Sequence, residues 1–188
     1  MRSLRDLIPR LKNDRKKCLT DHVRRAYREI GRTTPISADC GELCGAACCK
    51  EPEDADTEYG MLLFPGEEKL LRDDPHFKLT QLPPPEHFRH KVWFATCDGH
   101  CDRRKRPLSC RIFPCVTYLA ENAKRVAVIP DPRANAVCPL VARGADYTEE
   151  AFKEAVSRAG NALLGCKRQR AFLEDLSRLI EEYRRYVL

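Results

Sequence analysis

Residues 40–51 read CGELCGAACCKE, four cysteines within ten positions, the last two adjacent. A second run, CDGHCDRRKRPLSCRIFPC, covers 97–115, and Cys138 follows in DPRANAVCPL. These stretches hold nine of the eleven cysteines: Cys40, Cys44, Cys48, Cys49, Cys97, Cys101, Cys110, Cys115 and Cys138. Whether the thiols are there to be cross-linked, to react or to hold a metal decides how the middle of the chain is organised.

Cross-linking is the weakest of the three. A chain of 188 residues is long enough to bury a core without staples, and eleven is an odd number of cysteines. The opening MRSLRDLIPRLKNDRKK has a basic start but no uninterrupted apolar run of the kind a secretory signal needs. Nowhere does an apolar stretch approach the roughly 18 to 20 residues that span a bilayer. The expected location is therefore the cytoplasm, where thiols stay reduced, with no membrane partner.

Metal binding fits better. Gathering several thiolates without a cation is costly, because like charges repel and a buried charge needs a partner. Glycines after Cys40 and Cys44 suit a loop that wraps tightly around a ligand. Adjacent side chains diverge, so Cys48 and Cys49 suit two different sites better than two corners of one tetrahedron. Zinc and iron–sulfur clusters both take four thiolates, and neither C-x2-C nor a ferredoxin run is present to separate them. More than eight candidate ligands favour polynuclear sites, so a 4Fe–4S cluster is the preferred cofactor and zinc the alternative. Arg106 and Arg111 flank the ligand loops, where they could donate to sulfide or thiolate and lower the charge of a bound cluster. His90 and His100 read as exposed or outlying, and Cys18 and Cys166 as small core residues on helices.

Outward from the cysteines the pattern is of short elements. Residues 2–12 and 19–31 read as two amphipathic helices, the second stopped by TTPIS, which leaves the first cysteine group in a loop. YGMLLFPGEEKLLRD reads as a strand, a Pro-Gly turn and a helix start, PPPEHF as a connector, and HKVWFATC as a strand leading to Cys97. Pro107 and Pro114 mark the second cysteine run as loop, and KRVAVIP is another strand. From Thr148 apolar residues recur at three-and-four spacing, divided by Gly160 and Gly165 into two helices. The expected fold is α+β: one domain, with a basic helical segment at 1–37, a small, irregular, metal-organised core at 38–146 and a helical segment at 147–188.

The net charge is +6, and residues 2–32 hold eleven Arg or Lys against four acids. No aromatic residues interleave with the basic run as in single-strand binders, so a solvated helix face outweighs a nucleic-acid surface. No Ser-His-Asp order, Walker sequence or Gly-rich nucleotide loop occurs, so no stand-alone catalytic motif is found.

CGELCGAACC, followed by CDRRKRPLSCRIFP, resembles the YkgJ-like cysteine-cluster family, putative zinc- or iron-chelating domains with a CxxxCxxCC motif. The family's second part has a cysteine, then Arg-Pro, then Cys-Arg and an aromatic-Pro pair; here these are Cys101, Arg106, Pro107, Cys110, Arg111, Phe113 and Pro114. The likeness covers about residues 38–141 and departs in one place, since three residues rather than two separate Cys44 from Cys48. It implies chelation by Cys40, Cys44, Cys48, Cys49, Cys97, Cys101 and Cys110; Cys115 and Cys138 are additions inferred from this sequence alone. A similar cluster occurs in flagellin lysine N-methylases. Three functions follow in order of preference: an iron–sulfur protein with a redox or electron-transfer role for a partner protein, a zinc-stabilised module docking protein or nucleic acid, and a metal-dependent enzyme related to protein lysine N-methylases.

Overall fold

The computed structural model describes residues 4–50, 60–99 and 102–187, with side chains for 17–50, 60–99 and 102–186. The acidic stretch at 51–58, His100 and Cys101 lie outside the described residues.

The fold is α+β, with helices at both ends and two small antiparallel sheets between them. Helix α1 (Leu4–Ile30) is continuous where two short helices were expected. Residues 13–18, NDRKKC, contain neither glycine nor proline, so nothing breaks the helix between the two apolar stripes. Its buried Val23, Ala26 and Ile30 meet Phe152, Val156, Ala159 and Leu163 of α5 (Glu150–Leu163). Helix α6 (Lys167–Val187) completes this core with Phe172, Leu173, Leu176 and Ile180. Tyr183, the next residue along this stripe, is 42% exposed. The two helices part at Gly165, as expected, but Gly160 lies inside α5 rather than dividing it. Its role is close approach: a Cβ there would sit 2.6 Å from Thr117 Cγ2 and 2.7 Å from Val126 Cγ2.

Thr117 belongs to β4 (Cys115–Tyr118), which pairs with β5 (Ala127–Pro130), Cys115 opposite Pro130. The other sheet has the order β1-β3-β2, from β1 (Met61–Leu63), β2 (Phe77–Leu82) and β3 (Val92–Cys97). Its register sets Met61 opposite Ala95 and Phe77 opposite Cys97, so β3 delivers Cys97 at the sheet's end. Short helix α3 (Glu68–Leu71) follows the Pro-Gly turn.

Both cysteine runs carry more regular structure than a pure loop. Cys40 and Cys44 bound a single helical turn, α2 (Cys40–Cys44), capped by Asp39 Oδ1 accepting from Gly41 N at 2.9 Å. In the second run, Pro107 and Pro114 leave room for one turn, α4 (Leu108–Ile112), and Cys115 opens β4. Proline interrupts a helix but suits its first positions, so the two prolines delimit an element here instead of abolishing one. Among the described residues no helix is long and apolar enough to cross a membrane.

Candidate metal centre

The cysteines meet because three local devices turn the chain. After α2, Gly45 and Ala46 both take left-handed backbone, φ 59° and 57°, reversing the chain into a 3-10 turn at Ala47–Cys49. Gly99, φ +80°, brings the 97–99 loop so near this turn that a Cβ there would lie 2.7 Å from the Cys49 carbonyl oxygen. Only a residue without Cβ tolerates both that φ and that approach.

The third device is Glu67, which is fully buried. Its Oε1 accepts from Leu108 N at 2.6 Å and from Tyr27 Oη at 2.6 Å, and its Oε2 from Phe64 N at 2.9 Å. The carboxylate thereby joins α1, the end of β1 and the first amide of α4, the helix that carries Cys110. Burial raises the Glu67 pKa against the opposing pull of its three donors. The Tyr27 phenol is pushed up by burial and by this same carboxylate.

A cavity of about 210 Å³ lies where these parts converge. Cys48, Cys49, Cys97 and Cys110 line it, with Met61, Phe77 and Ala95 from one face of the sheet and Phe113, Val137, Asp131 and Arg133 from the other side. Cys48 Sγ lies 3.9 Å from Cys49 Sγ. Hydrogen bonding to Cys49, then burial, hold the Cys48 thiol well above the ordinary thiol range, and the nearby Cys44 and Cys40 add to this. Cys138 is raised chiefly by burial and also by Cys44 and Cys40. Cys40 packs beside Cys138 in a small apolar cluster with Ala134 and Leu140. Seven of the nine expected ligands therefore fall into one neighbourhood, Cys48, Cys49, Cys97 and Cys110 on the cavity and Cys40 and Cys44 near enough to Cys48 and Cys138 to raise their thiols.

Of the other two, Cys101 lies outside the described residues, and Cys115 points elsewhere. It is buried, with Sγ 3.8 Å from Thr148 Oγ1, and burial pushes its thiol up to about 11. Arg106 lines the cavity as expected. Arg111 does not: its guanidinium stacks over the Tyr27 ring at 4.0 Å and donates to the carbonyls of Arg106 and Arg104, clamping the loop that precedes α4. His90 is exposed.

The Asp131–Arg133 pair on the cavity wall was not foreseen. Arg133 donates to both oxygens of the buried Asp131, at 2.9 and 2.6 Å. The only sequence signal was an Asp-Pro-Arg turn that ends five residues before Cys138.

Among the described residues no three His, Cys, Asp or Glu side chains stand close enough to hold one metal ion as they are placed. In donor chemistry the thiols suit either zinc or an iron–sulfur cluster, both of which take four thiolates. No family model, no curated protein and no solved structure matches the chain.

Proposed function

We propose that this chain is an iron–sulfur protein carrying one or two cysteine-ligated clusters, 4Fe–4S by preference, and serving a redox or electron-transfer role for a partner protein. The observation that carries this is the convergence of the two cysteine runs and Cys138 around the Cys48–Cys49 pair. On this reading the cluster ligands come from Cys40, Cys44, Cys48, Cys49, Cys97, Cys101, Cys110 and Cys138. When bound, a cluster supplies one-electron transfer. The chain's own part is to exclude water with Met61, Phe77 and Phe113 and to offset negative charge with Arg106. Thiols raised by burial and by one another, as Cys48 and Cys138 are, must give up their protons to bind, so loading releases protons and weakens at low pH. The YkgJ-like resemblance belongs to the same proposal, as does a cytoplasmic location, where such thiols stay reduced.

Anaerobic purification, with iron, zinc and acid-labile sulfide counted per chain beside a visible spectrum, tests it. Brown protein with comparable iron and sulfide is expected, roughly four of each per cluster. Colourless protein with stoichiometric zinc would overturn it in favour of a zinc-stabilised interaction module. Cys110→Ser is expected to lose iron, and Cys115→Ser none.

A further inference from the structure

Two cysteines outside this centre face each other where the terminal helices meet. Cys18 lies half-buried on α1, and Cys166 is buried in the turn between α5 and α6. The contact is fixed from several sides. The His22 ring, one turn after Cys18, packs so tightly on Gly165 that a Cβ there would lie 2.7 Å from Nε2. Gln169 Nε2, in the first turn of α6, points at the Leu19 carbonyl at 3.4 Å and donates to that of Pro65 at 2.6 Å. Burial, then hydrogen bonding to Cys166, raise the Cys18 thiol pKa.

His22 completes the group. Its Nδ1 lies 2.8 Å from the Cys18 carbonyl oxygen, which can only accept, so Nδ1 carries the proton. The same Nδ1 lies 3.7 Å from Cys18 Sγ. The ring's Nε2 is the atom that faces Gly165, the chain neighbour of Cys166.

We propose that Cys18 and Cys166 form a redox-responsive dithiol that peroxide closes into a disulfide, fastening the N-terminal helix to the C-terminal helix pair. The half-exposed Cys18 thiol sheds its proton as its sulfur attacks one peroxide oxygen; the O–O bond breaks and the leaving hydroxide takes up that proton, giving Cys18 sulfenic acid and one water. The Cys166 thiol then attacks the sulfenic sulfur, the S–O bond breaks, and its oxygen leaves as a second water with the thiol's proton. Two electrons pass from the two thiols to one peroxide. The pair is separate from the metal centre, so this inference does not rest on the iron–sulfur reading.

The test treats the full-length protein with hydrogen peroxide, blocks remaining thiols by alkylation and maps unreduced peptides by mass spectrometry. A peptide pair joined through Cys18 and Cys166, lost on treatment with dithiothreitol, is expected, together with a higher melting midpoint for oxidised wild type. In Cys18→Ser, a surface-reachable change that spares the core, both the cross-link and the shift disappear. Recovery of both residues as alkylated peptides while other cysteines oxidise would overturn the proposal, as would Cys18 joined to any partner other than Cys166.

Discussion

Replacing Glu67 by alanine removes the acceptor that joins three segments. Two buried backbone donors, Leu108 N and Phe64 N, lose their partner, and the Tyr27 hydroxyl loses its own. An unsatisfied buried donor costs about 1 to 3 kcal/mol, which sums to about 2 to 6 for the two amides before the hydroxyl is added. Relief from burying a carboxylate offsets part of this, so the expected net loss is about 3 to 4 kcal/mol. Tyr27→Phe removes one of the three bonds and is expected to cost about 1 kcal/mol. Urea denaturation followed by circular dichroism gives both values. The sign with pH follows from the raised carboxyl pKa. A carboxyl raised by folding stabilises most below its unfolded pKa of about 4.3 and loses that contribution as pH climbs through the folded value. The penalty of Glu67→Gln, which cannot titrate, should therefore be larger at about pH 5 than at about pH 8. A Glu67→Ala loss below about 1 kcal/mol would refute the reasoning, because the α4 amide would then be held by something else.

Gly99→Ala, at φ +80° and against the Cys49 carbonyl, should separate the two cysteine runs and reduce bound iron while the helical core keeps its melting transition; metal analysis and calorimetry check this. Gly160→Ala should destabilise by about 1 to 3 kcal/mol by urea titration, since the added methyl meets the stiff side chains of Thr117 and Val126 and outweighs the ~1 kcal/mol gain in helix propensity. Cys115, the most buried described cysteine of the cysteine runs at 2% exposure, should be the slowest of them to alkylate in metal-free protein at neutral pH. The fold favours its neutral form, a stabilisation present below the ordinary thiol pKa of about 8.5 and lost as pH rises through 11, and alkylation rates followed by mass spectrometry should turn up there. Removing metal should loosen the 40–50 and 97–111 segments and leave the α1–α5–α6 core intact, because that core's buried side chains do not depend on the cysteines around the cavity; hydrogen exchange reads the difference.

Strand β3 and the terminal helices were legible because their apolar residues recur at two- or three-and-four-residue spacing, a property of the local chain. Strand β2 was missed: FKLTQL is half polar, and it becomes a strand by pairing with β3 across a connector. Strand β4 and helix α4 were hidden by Pro107 and Pro114, read as breakers where they serve as boundaries. The split expected in α1 was a misreading of periodicity, since two apolar stripes on one unbroken helix look like two helices.

For the candidate centre, the sequence by itself determined which atoms are available. Nine thiols in three clusters, two of them adjacent, follow from residue identity alone, and so does the preference for a soft metal partner. Which thiols share a space was decided only by the tertiary structure. Cys115 and Cys110 are five residues apart, yet one faces Thr148 in the core and the other the cavity, because a strand begins between them. Arg106 and Arg111 diverge in the same way, Arg111 being drawn off by the Tyr27 ring on a helix more than eighty residues earlier in the chain. Cys18 and Cys166 lie almost a chain length apart, and only the packing of α1 on the α5–α6 turn makes them neighbours. Side-chain chemistry is carried by each residue separately, but proximity is a property of the packed chain, set by the apolar burial that brings distant segments together.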